Sequence, residues 1–440
     1  MKASLHNLGC KVNSYETEAM EQMLINAGYE IVPFDGKSKA DVYIINTCSV
    51  TNIADRKSRQ MLHRAKKNNP DAVVVAAGCY VQASGDELIK DEAVDIVIGN
   101  NRKNELISII EDFIENRSRN SAVLDISKER GYENLSINEV CEHTRAYIKV
   151  QDGCNQFCSY CIIPYTRGRV RSRRKEDAAA EIERLAAGGY KEFVLTGIHL
   201  SSYGIDLEED ITLLDLIKAA ADIQGVKRIR LGSFEPGILT EGFVSELARI
   251  DKVCPHFHIS LQSGCDSVLK RMNRRYNTTK YEESCRILRR YFPNAAITTD
   301  VIVGFPQETE EEFQATKEYL ERIHFYEMHV FKYSRRKGTA ADAMSGQVDE
   351  TVKSRRSEAL IKLGNKMSAQ YRMNAVGSVQ EVLFEEETER DGYTFISGYT
   401  KTYIRVLVKE KNAGELINRI VPVKITGVTE DSCGVFGEIV

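Results

Sequence analysis

The sequence predicts an α/β fold in three consecutive parts: an open parallel sheet, a partial β/α barrel and a small β-barrel. Two observations lead to this prediction. Short apolar runs alternate with helical segments along most of the 440 residues, which is the pattern of parallel sheets. Near the C-terminus the pattern changes to β-branched runs separated by Gly and Asp turns, which is typical of a small barrel.

The first part of the chain predicts an open, mostly parallel sheet domain over residues 1–116. Strands are expected at residues 3–9, 41–46, 72–77 and 96–98. Helices are expected at residues 15–27, 54–68, 86–91 and 105–116. Residues 117–143 then lose periodicity and become polar, so they predict a linker.

Strand and helix signals resume at Arg145 and repeat six times, which predicts a β/α barrel two units short of the usual eight. Its strands are expected at residues 146–150, 192–196, 228–232, 256–260, 296–304 and 327–333. With a basic helix at 352–375 this domain covers residues 144–375. The small β-barrel fills residues 376–440, with strands at 380–384, 395–398, 404–409, 420–425 and 435–440.

The composition is that of a globular protein, with 42% hydrophobic and 28% charged residues. The formal net charge of −4 excludes general attraction to nucleic acid, so any such site must be a local patch. The longest apolar run, Ala72 to Val81, is half the length of a membrane-spanning helix. The polar start from Met1 to Asn7 is unlike a secretory signal. We therefore expect a cytoplasmic enzyme with no membrane partner.

Eleven cysteines, an odd number without an export signal, argue against a disulfide framework. Three of them, Cys154, Cys158 and Cys161, form a CxxxCxxC run just after the first barrel strand. Three close thiolates can hold part of an iron–sulfur cluster and leave one iron open. A zinc knuckle is the alternative, but no nearby His or Cys completes the four ligands of a structural zinc site.

Three more cysteines follow three predicted strands of the first domain: Cys10, Cys48 and Cys79. Ends of neighbouring parallel strands meet at one edge, about 4.8 Å apart per strand. The sequence therefore predicts a second three-thiolate site there. The alternative is three small buried side chains, since free cysteine is often buried. Farther along, Cys254, His256 and His258 share one face of a strand, and packing inside the barrel explains them better than a metal does.

The CxxxCxxC run resembles the motif of the radical S-adenosylmethionine superfamily, and its place behind a three-cysteine domain resembles the methylthiotransferases. Further matching segments are Leu8–Asn13, Asn46–Cys48, Gly78–Tyr80, Ile163–Gly168, Leu195–His199, Leu261–Gly264, Thr299–Pro306, and Tyr333–Ser334 with Gly338–Thr339. The C-terminal barrel resembles the TRAM domain, an RNA-binding module.

The resemblance implies an enzyme with two [4Fe-4S] clusters. One, on the CxxxCxxC run, would bind S-adenosylmethionine and cleave it to a 5′-deoxyadenosyl radical. The other, on Cys10, Cys48 and Cys79, would hold or supply the sulfur that is methylated and inserted. Two S-adenosylmethionine molecules would be used per turnover, one as methyl donor and one as radical source. An electron donor and a sulfur donor are implied partners.

Three branches of the family compete. The segments Gly9–Asn13, Tyr15–Glu18 and Leu195–His199 resemble the branch that acts on N6-threonylcarbamoyladenosine in tRNA. Its product is the 2-methylthio derivative at the adenosine 3′ to the anticodon. The isopentenyladenosine branch, the ribosomal-protein branch and a non-enzymatic iron–sulfur RNA-binding or electron-transfer protein are the alternatives.

Groups at the barrel strand ends are the expected contacts for S-adenosylmethionine. They are Thr196, Gly197, Ser233, Glu235 and Gln262, with Tyr160 beside the adenine. For tRNA, six positive charges between Arg167 and Lys175 predict a phosphate-binding patch. Its candidate residues are Arg167, Arg169, Arg171 and Arg173. A solvated surface strip is the alternative. In the TRAM-like barrel the candidates are Lys401, Arg405, Lys409 and Lys411.

Overall fold

The computed structural model describes residues 1–117, 120–137, 144–390, 392–410 and 413–440. It has the predicted α/β architecture, with a parallel sheet, a partial barrel and a closed β-barrel in chain order. Lys411 and residues 118–119 and 138–143 of the predicted linker lie outside the described residues. No helix in the described ranges is long and apolar enough to cross a membrane.

The N-terminal sheet has six parallel strands. They are β1 (Lys2–Asn7), β2 (Glu30–Ile31), β3 (Val42–Thr47), β4 (Val73–Gly78), β5 (Ile96–Ile98) and β6 (Asn120–Ala122). Its helices are α1 (Lys11–Asn26), α2 (Asn52–Asn68), α3 (Cys79–Leu88) and α4 (Leu106–Asn116). The spatial order is β2-β1-β3-β4-β5-β6. Every residue of β3 and β4 is buried, as expected for strands covered on both faces.

Two details of this domain differ from the sequence prediction. Strand β6 falls within the stretch predicted as linker, because Asn120 pairs with Ile96 and extends the sheet. Helix α3 begins directly at Cys79, well before the predicted helix at residues 86–91. Its first turn is apolar and buried, so the hydrophobic run from Ala72 to Val81 contains both a strand and a helix start.

The central domain contains six parallel strands and one short antiparallel strand. They are β7 (Arg145–Asp152), β8 (Arg171–Ser172), β9 (Glu192–Gly197), β10 (Arg228–Leu231), β11 (His256–His258), β12 (Ala296–Val303) and β13 (Glu327–Lys332). The sheets β10-β9-β7-β8 and β11-β12-β13 are joined by parallel bridges, one of them between Phe234 and Ile259. The six predicted barrel strands are therefore confirmed, in sequential order.

Eight helices accompany the barrel. They are α5 (Ile163–Thr166), α6 (Lys175–Ala187), α7 (Leu213–Asp222), α8 (Glu241–Leu247), α9 (Asp266–Arg271), α10 (Thr278–Tyr291), α11 (Glu310–Ile323) and α12 (Glu350–Met373). Helix α1 of the N-terminal domain packs against β7, and its Tyr15 and Ala19 belong to the hydrophobic core of the barrel. The two domains therefore share a buried junction on the β7 side.

The C-terminal domain is a closed barrel of five strands. They are β14 (Val379–Arg390), β15 (Tyr393–Thr400), β16 (Arg405–Val408), β17 (Ile420–Val428) and β18 (Val435–Ile439). It packs against the beginnings of the central strands. Arg228, the first residue of β10, donates hydrogen bonds to the carbonyls of Tyr399 (2.9 Å) and Glu381 (2.7 Å). Arg145, the first residue of β7, pairs with Glu385 at 2.7 Å. This barrel therefore lies at the end of the central domain opposite the Cys154 loop.

Candidate functional site

The loop that follows β7 carries the CxxxCxxC run at the C-terminal end of the barrel strands. Its start is fixed by Gly153, whose φ is +69° and where a Cβ atom would lie 1.8 Å from the Arg169 carbonyl. The Cys154 amide then donates to the Gly168 carbonyl at 3.0 Å. Enzymes with β/α barrels keep their reactive groups at this end.

The three thiols of this loop act on one another electrostatically. Burial, together with the neighbouring Cys158, raises the pKa of Cys154 to about 11 and that of Cys161 to about 12. Such thiols stay protonated at neutral pH unless a cation replaces the protons, as a bound metal does. Arg274 already donates from Nη1 to the Cys158 sulfur at 3.1 Å. The donor set therefore fits an iron–sulfur cluster.

Cys10, Cys48 and Cys79 follow the ends of β1, β3 and β4, which are direct neighbours in the sheet. The prediction that these strand ends meet at one edge is confirmed. Although Cys10 retains solvent contact, the surrounding protein desolvates its thiol and raises its pKa. Burial raises the pKa of Cys48 to about 11, and Cys79 and Cys10 contribute. That these cysteines bind a cluster remains a prediction.

The distances between thiols bear on the zinc alternative. In the described part of the chain, neither trio brings its three sulfurs within 4.8 Å of one another. A tetrahedral zinc with bonds of about 2.3 Å needs sulfurs roughly 3.8 Å apart. Neither trio is therefore arranged as a site for a single zinc ion.

The two cysteine loops border the same cavity, which has a volume of about 220 Å³. Val50 and Thr51, just after Cys48, line it from the N-terminal domain. Tyr160, between Cys158 and Cys161, and Gln262 line it from the barrel. Two of the predicted S-adenosylmethionine contacts therefore meet at the junction of the two cysteine loops.

A chain of polar contacts links Glu235 to the Cys154 loop. Its carboxylate pairs with Arg274 at 3.1 Å and with His199 Nε2 at 3.2 Å. Burial alone would raise the pKa of Glu235, but the contact with His199 and the Arg274 charge lower it below its ordinary value. Arg274 thus connects the Glu235 carboxylate to the Cys158 sulfur. The sequence analysis did not identify Arg274 as a site residue.

The other predicted contacts have local partners. The Ser233 hydroxyl lies 2.9 Å from that of Ser260. Thr196 is buried. At Gly197 a Cβ atom would lie 2.9 Å from the Gln151 side chain, so close packing of β9 on β7 already explains the glycine. Their contact with S-adenosylmethionine remains a prediction.

The predicted arginine patch is largely wrong. Arg167, Arg171 and Arg173 are buried, with exposures of 0%, 0% and 2%, so they face no tRNA phosphate. Arg173 pairs with Glu181, and Arg171 donates to the Arg167 carbonyl at 2.8 Å. Arg169 is exposed, with its guanidinium 4.6 Å from the centroid of the Phe157 ring. It remains a candidate for RNA contact.

The buried arginines belong to an ionic network that joins the two domains. Glu16 of α1 is fully buried and contacts Arg167 at 2.6 Å, Lys149 at 2.7 Å and Lys103 at 3.2 Å. Burial would raise the pKa of Glu16, but these cations hold it well below its ordinary value. Asp152 of β7 is the second anion, 2.7 Å from Lys149. One feature of the sequence points to this network, because Lys149 is a charged residue within an otherwise apolar predicted strand.

One further polar group lies on the barrel strands. His258 of β11, Asp300 of β12 and His329 of β13 place ligand atoms within 4.8 Å of one another. His258 Nε2 is 3.2 Å from the Asp300 carboxylate. Cys254, which shares a strand face with His258 in the sequence, is fully buried and does not join this group.

An open barrel of six parallel strands with three cysteines on the loop after its first strand is the architecture of a radical S-adenosylmethionine enzyme. Residues 148–320 match the family model "Radical SAM superfamily", and residues 2–99 match "Uncharacterized protein family UPF0004". A solved structure of the radical S-adenosylmethionine methyltransferase TsrM from Kitasatospora setae is similar in fold. Its TM-score is 0.56 at 15% identity, and the match covers 78% of this chain and 74% of that one.

Relatives with assigned functions show which family within this superfamily the chain resembles. The threonylcarbamoyladenosine tRNA methylthiotransferase MtaB of Bacillus subtilis (strain 168) is 43% identical over 96% of this chain and 93% of its own length. The protein of that name from Aquifex aeolicus (strain VF5) is 39% identical, over 93% of this chain and its whole length. A tRNA-2-methylthio-N(6)-dimethylallyladenosine synthase from Thermoanaerobacter sp. (strain X514) is 36% identical, over 96% of this chain and 89% of its length.

The chain belongs to the methylthiotransferase family of radical S-adenosylmethionine enzymes. It is therefore an enzyme, as the sequence predicted, and the non-enzymatic alternative is excluded. Its cofactors are S-adenosylmethionine and two [4Fe-4S] clusters.

Proposed function

We propose that the chain converts N6-threonylcarbamoyladenosine in tRNA to its 2-methylthio derivative at the adenosine 3′ to the anticodon. The observation that supports this most strongly is the 43% identity, along nearly the whole chain, to a relative named for that nucleoside. The cavity that both cysteine loops border is consistent with a reaction in which both clusters act on the same carbon atom of the substrate.

In this proposal each cysteine trio holds one cluster: Cys154, Cys158 and Cys161 in the barrel, and Cys10, Cys48 and Cys79 in the N-terminal domain. The bound cofactors supply the radical that activates the C–H bond and the sulfur and methyl group that replace its hydrogen. Arg274, which contacts both Cys158 and Glu235, would compensate the charge of the bound cluster and hold Glu235 in place to bind the amino group of S-adenosylmethionine. Tyr160 and Gln262 line the cavity that would lie between the clusters.

Lys11 is the residue that favours the threonylcarbamoyl substrate. It follows Cys10 directly, and its ammonium has no hydrogen-bond partner among the described residues. Although Lys11 is exposed, desolvation and the charges of Arg230 and Arg145 lower its pKa to about 8, which leaves it mostly protonated at neutral pH. A threonylcarbamoyl group carries a carboxylate that this cation can bind, whereas a dimethylallyl group is a hydrocarbon.

A second candidate substrate is the dimethylallyl nucleoside, because a relative named for it is 36% identical. For either nucleoside we assign the remaining tRNA contacts to exposed cations of the N-terminal domain and the barrel. Arg169 lies on the barrel side, and Arg56 and Arg59 of α2 lie on the other. An RNA contact by Lys401, Arg405 and Lys409 would lie at the far end of the molecule. We place the reaction in the cytoplasm, with a reductant and a sulfur donor as further partners.

The test is mass spectrometry of tRNA nucleosides from cells that lack the gene. Expression of the parent chain should restore the 2-methylthio form and consume N6-threonylcarbamoyladenosine, whereas Cys154→Ala should not. Cys285→Ala is the matched control, because Cys285 is a buried cysteine of α10 outside both trios. An unchanged threonylcarbamoyl nucleoside with altered dimethylallyladenosine would transfer the proposal to the second substrate.

A further inference from the structure

The sulfur of Cys79 accepts hydrogen bonds from two buried side chains. Arg167 Nε lies 3.3 Å from it and Asn100 Nδ2 lies 3.6 Å from it. Asn100 belongs to the N-terminal domain, but Arg167 comes from the barrel, six residues after Cys161. A cation of one domain therefore contacts a thiol at the predicted cluster site of the other.

The position of Arg167 is fixed by partners on all sides. Its Nη1 contacts Glu16 at 2.6 Å and Asp152 at 3.1 Å, while Nη2 contacts the Asn13 side-chain oxygen at 2.7 Å and Glu16 at 3.1 Å. All three guanidinium nitrogens are thus engaged, and the residue is fully buried. A lysine offers no such planar fork, so it could keep the charge but not the whole set of contacts.

We propose that Arg167 is a positioning residue that sets the reduction potential of the auxiliary cluster through its Nε–H bond to the Cys79 sulfur. The inference rests on the proposed assignment of Cys10, Cys48 and Cys79 as cluster ligands. Reduction adds negative charge to a cluster, so hydrogen bonds to its sulfurs and a nearby cation stabilise the reduced state and raise the potential.

The test is a redox titration of a full-length variant that can bind only the auxiliary cluster. Cys154, Cys158 and Cys161 are replaced by Ala, the remaining site is reconstituted with iron and sulfide, and the midpoint potential is followed by electron paramagnetic resonance. Arg167→Gln should shift the reduced-to-oxidised ratio about tenfold toward the oxidised form, which is about 59 mV for one electron. Arg171→Gln is the matched control, because Arg171 is equally buried and near Asp152 but is hydrogen-bonded to carbonyls.

Arg167→Lys covers the case in which the glutamine variant fails to fold, because lysine retains the charge opposite Glu16 and Asp152. It should lower the potential in the same direction, with iron content equal to that of the parent. A parent-like potential in Arg167→Lys, or an equal shift in Arg171→Gln, would overturn the role of the Nε–H bond. A parent that binds no cluster in this background would instead overturn the ligand assignment of the proposed function.

Discussion

Replacing Glu16 with Gln should weaken the junction between the N-terminal domain and the barrel. Glu16 is fully buried and is the shared anion of Arg167, Lys149 and Lys103. Without its charge, Arg167 and Lys149 keep their contacts with Asp152, whereas Lys103 keeps its hydrogen bond to the Asn100 side chain. Removing one partner of a buried ion pair costs about 3–5 kcal/mol, because the remaining charge stays desolvated.

For a domain of roughly 150–250 residues, the lower value of about 3 kcal/mol corresponds to a fall of about 6–12 °C in the melting temperature. Thermal unfolding followed by circular dichroism on the apoprotein avoids stabilisation by bound cofactors. The control is Glu30→Gln, since Glu30 pairs with Lys2 at 3.5 Å in an exposed position and such pairs contribute about 0–1 kcal/mol. The reasoning is refuted if Glu16→Gln melts no lower than this control.

Three further changes have defined outcomes. Burial and neighbouring carboxylates raise the pKa of Glu18 to about 7, so folding gains from its proton below pH 4.5 and loses that gain as the pH rises through 7. Glu18→Gln should therefore raise the melting temperature at pH 8 but not at pH 4. A change in melting temperature that is the same at both pH values would contradict this. Gly78 has φ +96° and an added Cβ would lie 2.6 Å from the Thr47 carbonyl, so Gly78→Ala should displace Cys79 and lower bound iron by about half; undiminished iron would argue against it. Lys11→Met should lower kcat/KM for threonylcarbamoyl tRNA about 10–100-fold by removing a charged partner, and an equal loss with dimethylallyl tRNA would show that it does not read the carboxylate.

The sequence predicted the parallel strands and the meeting of Cys10, Cys48 and Cys79 for one physical reason. Strands buried on both faces read as continuous apolar runs, and parallel strands end at one edge. Residues that follow those runs are therefore placed together even when they are far apart in the chain. The same logic placed the CxxxCxxC run at the reactive end of the barrel.

The arginine patch shows where this reasoning fails. A run of alternating arginines has the same local pattern whether it faces solvent or anions of another domain. The partners of Arg167 are Glu16 and Asp152, and Glu16 lies in a different domain, so local sequence carries no signal for the pair. Strand β6 was missed for a related reason, because a three-residue edge strand in a polar stretch has too little periodicity to detect.

The division of labour between the two cysteine trios is the central claim, and two triple variants test it directly. Purified chains are incubated with S-adenosylmethionine, a reductant and threonylcarbamoyl tRNA, and both 5′-deoxyadenosine and the methylthio nucleoside are measured. Replacement of Cys10, Cys48 and Cys79 by Ala should leave 5′-deoxyadenosine formation and abolish the methylthio product. Replacement of Cys154, Cys158 and Cys161 should abolish both. A methylthio product at the parent level from either variant would contradict the account.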